Sequence, residues 1–177
     1  MSKLLAATKQ PDLSRNPERD YCLLLLMFRH GLRVSEICRM KFSDIDLETK
    51  ILHVHRLKSC NSTVHPLYKG EPRAIASRVA ARSKMHPDSD KLFVSERRRP
   101  LSRATVWLLV QKYAQAAGLD ALSIHPHMLR HACGYNLANR GADTRLIQEY
   151  LRPPLNSIHC PLHRPSLEPL RQPILKA

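Results

Sequence analysis

"HPHMLRHACGYNLANRG", residues 125–141, is the stretch from which the rest of the chain is best read. Its second residue is a proline, tolerated in the first turn of a helix, and it closes on a glycine, the residue that favours a helix C-terminus. Helical geometry puts His127, Arg130 and His131 at i, i+3 and i+4 on one face, with Leu129, Cys133 and Leu137 opposite them as a core stripe. One helix therefore presents an imidazole and a guanidinium together while anchoring itself behind. A guanidinium binds phosphate oxygens through a planar fork, and a neighbouring histidine can move a proton near neutral pH. This is a phosphate site in outline, although an isolated His-x-x-Arg also fits a merely solvated helix face. His125, His127, His131 and Cys133 are donor types that zinc accepts. In a regular helix, however, Cys133 points away from His127, and no second Cys/His pair stands at ligand spacing, so zinc is the weaker reading and no metal ligand is assigned.

Composition limits what surrounds that helix. The chain has 177 residues, enough for one well-buried domain and short for two. It carries 29 Lys+Arg against 15 Asp+Glu, a formal +14. Residues 151–177 hold four basic groups and one acidic one, which leaves the first 150 at +11. The positive field belongs to the part expected to fold, and such a field attracts polyanions, nucleic-acid phosphate above all. The longest apolar run, "CLLLLMF" at 22–28, is far short of the roughly 20 residues that cross a bilayer. No charged start with an apolar stretch and a small-residue cleavage site opens the chain, so no export signal is expected. The five cysteines are odd in number and contain no CxxC, which fits a reducing cytoplasm better than a disulfide framework.

Working outward, "RDYCLLLLMFRHG" reads as a buried helix with Gly31 past its end, and "RVSEICRM" as a second helix leading into an exit turn, "SDIDL". "ILHVHRLK" alternates like a strand and "STVHPL" can return beside it. Residues 71–85 read as helix and "KLFVS" at 91–95 as a short strand. Ser102 is placed to cap "RATVWLLVQKYAQAAG", whose Val106, Leu109, Val110, Tyr113 and Ala117 form one stripe, and Asp143 to cap "TRLIQEYL". The predicted fold is mainly α, five to seven helices around a small antiparallel β-sheet, with residues 1–17 as a lead, 18–151 as the domain and 152–177 as a tail. From residue 151 on there are six prolines, no glycine and no period of 2 or 3.6, so disorder is expected after Leu151.

Four separated runs occur in a fixed order: "HGLRVSEICRMKFSDID", "RLKSCNSTVHP", "LSRATVW" and "HPHMLRHACGYNLANRGADTRLIQEYL". In order and spacing they resemble the catalytic domain of the tyrosine recombinases, the phage-integrase family, and within it the short fimbrial-switch invertases, over residues 18–151. The resemblance implies site-specific DNA recombination or inversion on double-stranded DNA. Arg33 would be the first catalytic arginine, Lys58 the hairpin lysine that protonates the leaving 5′-oxygen, and His127 with Arg130 the His-x-x-Arg pair. It also implies DNA contacts from Arg103 and Arg56, other recombinase protomers as possible partners, no cofactor, no membrane, no small-molecule substrate and a place in the cytoplasm at the nucleoid. In that chemistry a tyrosine hydroxyl attacks the phosphodiester, leaving a phosphotyrosyl link and a free 5′-hydroxyl.

The family pattern continues after "QEYL" with Gly-His and, further on, the nucleophilic tyrosine within "VRYTA", and this chain departs from it there. Residues 152–177 contain neither motif and no tyrosine; Tyr150 reads as a packing residue. Codons can nevertheless be chosen for Pro153–Arg164 which, read from their second nucleotide, give HRSIQSTVRYTA, so a one-nucleotide insertion after Leu151 accounts for the loss. The expectation is a cleavage-defective recombinase-type protein. The alternatives are a non-enzymatic DNA-binding module or a misfolded product and, less favoured, a zinc protein. In the hairpin, "KSCNST" lacks the glycine of a tight Asn-Gly turn, which would leave Lys58 less well placed.

Overall fold

The computed structural model describes residues 2–55, 62–121 and 123–151. Among them are seven α-helices and one three-stranded antiparallel sheet, the mainly α architecture with a small sheet that the sequence pattern predicts. The helices are α1 (Ser2–Ala7), α2 (Pro17–Arg29), α3 (Val34–Arg39), α4 (Glu71–Ser83), α5 (Arg103–Ala116), α6 (Pro126–Asn139) and α7 (Thr144–Leu151); the strands are β1 (Ile45–Asp46), β2 (Ile51–Val54) and β3 (Thr63–Pro66).

Helix α2 is the centre of the molecule. Cys22 through Met27 are all buried, so the helix is covered on every side, and α1, α3, α4 and α6 pack around it. Proline in its first turn, Glu18 and Asp20 near its start and Arg29 in its last turn follow the helix dipole. Asp20 is fully buried and satisfied: it accepts from Tyr113 Oη of α5 at 2.8 Å, from Ser14 Oγ at 2.6 Å and from Arg19 Nε at 2.7 Å. Gly31 ends α2 in the left-handed conformation, φ +56°, and turns the chain into α3.

The sheet order is β1-β2-β3, with Leu52 opposite His65 and Val54 opposite Thr63. Leu52 and Val54 are buried while Ile51 and His53 are half-buried, the alternation of a strand with one core face. Helices α5 and α6 follow their sequence signals. The Thr105 amide donates to Ser102 Oγ at 3.1 Å, Val106, Val110 and Tyr113 are fully buried, and Leu129, Cys133 and Leu137 form the buried stripe of α6. The Arg145 amide donates to Asp143 Oδ1 at 2.8 Å at the start of α7.

Two local readings are corrected. "KLFVS" is not a strand: Lys91 and Val94 make only isolated bridges, to Lys41 and Pro100, although Leu92, Phe93 and Val94 are fully buried. Proline has no amide hydrogen to extend a ladder, and the segment is held instead by α4, whose Arg78 and Arg82 donate to the Leu92 and Lys91 carbonyls at 3.1 and 2.9 Å. Conversely, part of the expected exit turn "SDIDL" is β1, which pairs Ile45 with Leu52 and Asp46 with Ile51. Two residues are too few to show an alternation. Helix α1 also had no signal of its own, yet it buries Leu4 and Ala7 in the main core and packs on α2 and α5. The sequence expectation for residues 152–177 lies outside the described residues.

Candidate functional site

Arg33 and Arg130, 97 positions apart, meet at one carboxylate that sequence reasoning did not select. Glu36 is buried one turn into α3. Its Oε2 accepts the Arg33 backbone amide at 2.8 Å, and its Oε1 accepts from the Arg33 guanidinium at 3.2 Å. Arg130 Nη1 lies 4.0 Å from Glu36 Oε2. The signal was available: Arg33-x-x-Glu36 has the spacing at which a glutamate caps a helix start. Two guanidinium groups beside one buried carboxylate leave a positive balance that suits a singly charged phosphodiester.

Arg130 is more buried than the helical wheel suggests. His127 and His131 are exposed and stack with ring centroids 4.7 Å apart. Arg130 instead turns inward, where Nη1 donates to the Gly31 carbonyl and Nη2 to the Leu151 carbonyl. Those two carbonyls, at the end of α2 and the end of α7, hold the plane of the fork. His127 has its pKa lowered, first by partial burial and then by the charges of His131, Arg130 and His125. Its neutral form is thereby favoured near pH 7, the state in which an imidazole can accept a proton.

Helix α7 is locked onto this region by a buried polar cluster. The Tyr150 hydroxyl lies 3.0 Å from His30 Nδ1 and 3.3 Å from the Arg29 carbonyl, and His30 Nε2 lies 3.3 Å from Glu71 Oε2. The His65 ring packs on Tyr150 at 4.1 Å. Tyr150 is thus a core residue, 1% exposed. Leu151, beside it, sits over Gly31 and Gly134.

The remaining sequence candidates divide. Arg103 is exposed at the start of α5 and close enough to α3 that its charge opposes the burial that pushes the Cys38 thiol up to about 11. Lys58 and Arg56 belong to the β2–β3 connection and lie outside the described residues. The end of β2 borders a groove that shares Glu36 with the site. This groove, of ≈ 470 Å³, is lined by Glu36, Arg39, Lys41, His53, His55 and Lys91. The zinc alternative loses its geometry, because Cys133 Sγ donates to the Arg29 carbonyl at 3.3 Å, away from the exposed histidines. Among the described residues no three His, Cys, Asp or Glu side chains gather as metal ligands, and no helix is long and apolar enough to cross a membrane.

The chain is similar to the type 1 fimbriae regulatory protein FimB of Escherichia coli K12, 48% identical over 151 residues that make up 85% of this chain and 73% of that protein. It is 46% identical over 138 residues to FimE of the same strain, covering 75% of this chain and 68% of FimE. Its fold superposes on the crystal structure of the XerA recombinase with a TM-score of 0.75 at 29% identity, over 85% of this chain; it spans about half, 52%, of that solved chain. The family model described as the phage integrase family matches residues 1–152. The helix order, the small sheet and the match along nearly all of the described chain agree, and the chain belongs to the phage integrase family, the tyrosine recombinases.

Proposed function

We propose that this protein is a DNA-binding recombinase-type protein for site-specific DNA inversion whose strand cleavage is disabled, with residues 18–151 as the catalytic unit. The observation that carries this reading is the convergence of Arg33 and Arg130 on Glu36 in a chain of formal charge +14. In the proposed roles, the two guanidinium groups hold the nonbridging oxygens of one DNA phosphate and offset the charge that grows at a five-coordinate phosphorus. Lys58 supplies the proton to the leaving 5′-oxygen, and neutral His127 accepts the proton of an attacking hydroxyl. Arg103, on the exposed start of α5, and Arg56 contact DNA outside the reacting phosphate. Other recombinase protomers are the expected protein partners.

The attacking tyrosine of the family motif is what residues 152–177 lack. They contain no tyrosine, and Tyr150 is held in the core by His30. A one-nucleotide insertion after Leu151, with the original tyrosine codon spanning Leu162 and His163, accounts for the loss, and reading the gene there tests it directly. For the protein, the decisive experiment uses a nicked duplex that traps a covalent protein–DNA adduct. Salt-dependent DNA binding with no adduct is the expected result. An adduct would overturn the loss of cleavage, and the absence of DNA binding would overturn the reading as a whole.

A further inference from the structure

Among the described residues, the densest run of positive charge lies outside the phosphate site, in the turn 95–100. Arg97, Arg98 and Arg99 are consecutive and exposed, and no Asp or Glu occurs from residue 97 through residue 119. The turn is rigidly mounted. Phe93, Val94 and Leu101 at its base are buried, Val94 bridges Pro100, the Ser95 amide donates to the Arg99 carbonyl at 2.7 Å, and the Arg98 amide donates to the Ser95 carbonyl at 3.0 Å. Its apex residue, Arg98, has φ +63°, a conformation that favours glycine. The chain therefore carries a guanidinium where the backbone alone would favour no side chain at all.

The turn runs directly into Ser102, the cap of α5, and exposed Arg103, whose charge reaches Cys38 on α3, the helix that begins beside Arg33. On its other side it borders a groove of ≈ 710 Å³ lined by Arg15, Arg19, Arg97 and Lys112 together with Asp12 and Glu96. Within that groove Arg15 pairs with Glu96 at 3.6 Å, so the one acidic residue of the turn is turned toward another cation and away from the three arginines' charge.

We infer that the Arg97–Arg99 turn is a second DNA-backbone contact, a rigid clip on duplex phosphates beside the start of α5. This rests on the DNA-binding function proposed for the chain. Backbone contacts are independent of sequence, and each phosphate neutralised on B-form DNA contributes about 0.9 to the slope of log K against log salt.

The test uses the full chain and a fluorescent duplex of arbitrary sequence, with affinity measured across a salt series. The triple variant Arg97→Gln, Arg98→Gly, Arg99→Gln is compared with Lys9→Gln, Arg73→Gln, Lys84→Gln, which removes the same charge from exposed positions elsewhere. The turn variant is expected to lose about 2–3 from the slope and at least about tenfold in affinity at low salt, the control variant less than about one unit of slope. Equal losses in both, or none in the turn variant, would overturn the clip while leaving DNA binding intact. A wild-type chain that does not bind duplex DNA would overturn both. Arg98→Gly alone relieves the left-handed backbone, so its melting temperature should hold or rise while affinity falls about threefold or more. Unchanged affinity in that stably folded variant would also refute the clip.

Discussion

Gly31→Ala tests how the end of α7 is docked. An added Cβ would collide with Leu151 Cδ2, and would lie 3.5 Å from Cys133 Sγ and 3.6 Å from Arg130 Cγ. Relief requires the Leu151 side chain, whose other methyl packs beside Gly134, to shift. Two costs add: about 1–2 kcal/mol for an L residue held at φ +56°, and about 1–3 kcal/mol for overpacking the notch. Gly118→Ala separates them, because Gly118 has φ +66° and a Cβ there would meet nothing within 4 Å; it should show the backbone cost alone. In urea unfolding followed by far-UV circular dichroism, Gly31→Ala should therefore be the more destabilising by about 1–3 kcal/mol. Adding Leu151→Ala should recover at least about 0.5 kcal/mol of that excess as a coupling. Equal costs at the two glycines, or no coupling to Leu151, would refute the docking of α7 over Gly31, and with it the placing of the Leu151 carbonyl that Arg130 donates to.

Three further outcomes follow from the site. Glu36→Gln removes the carboxylate between Arg33 and Arg130 and should cost about 1–3 kcal/mol, discounted because Arg33 is partly exposed; sulfate should raise the variant's melting temperature more than the wild type's, and an equal response in both would count against a two-arginine anion site. Tyr150→Phe deletes the hydroxyl that lies 3.0 Å from His30 Nδ1 and should cost about 1–2 kcal/mol in chemical denaturation, whereas an unchanged midpoint would mean that the hydroxyl does not bond His30. His127, with its folded pKa lowered from 6.5, binds its proton less readily than in the unfolded chain, so its stabilising contribution is present above 6.5 and lost as pH falls through the folded value. Its ring signals in an NMR titration should move at lower pH than those of free histidine; a midpoint at or above the free value contradicts its partial burial beside cationic neighbours.

Much of the fold could be read in advance because its main elements carry strong local signals. The α2 run is apolar on all sides, Ser102 and Pro126 mark helix starts, and Gly31 and Gly141 fall past helix ends at positive φ. Weak local signals failed where pairing or packing is supplied from a distance. β1 has two residues, and only β2 makes it a strand. The apolar 91–95 run has the composition of a strand but meets a proline and single bridging residues. The site divided in the same way. Motif order selected Arg33, His127 and Arg130 as candidates, and of these the structure brings Arg33 and Arg130 to one carboxylate, Glu36, which was passed over because no local pattern ties it to a second arginine.

By itself, the sequence determined the membership of the family, the mainly helical architecture and the excess of positive charge, because periodicity, capping residues and ordered motifs are properties of the chain read locally. It also showed that no tyrosine follows Leu151. Only the tertiary structure decided that Arg130 turns inward to the Gly31 and Leu151 carbonyls while its helical neighbours His127 and His131 stay exposed, and that Tyr150 closes a buried cluster with His30 and Glu71. The reason is physical: helical spacing fixes which side chains share a face, but a buried polar group goes where distant backbone and side-chain partners can satisfy it.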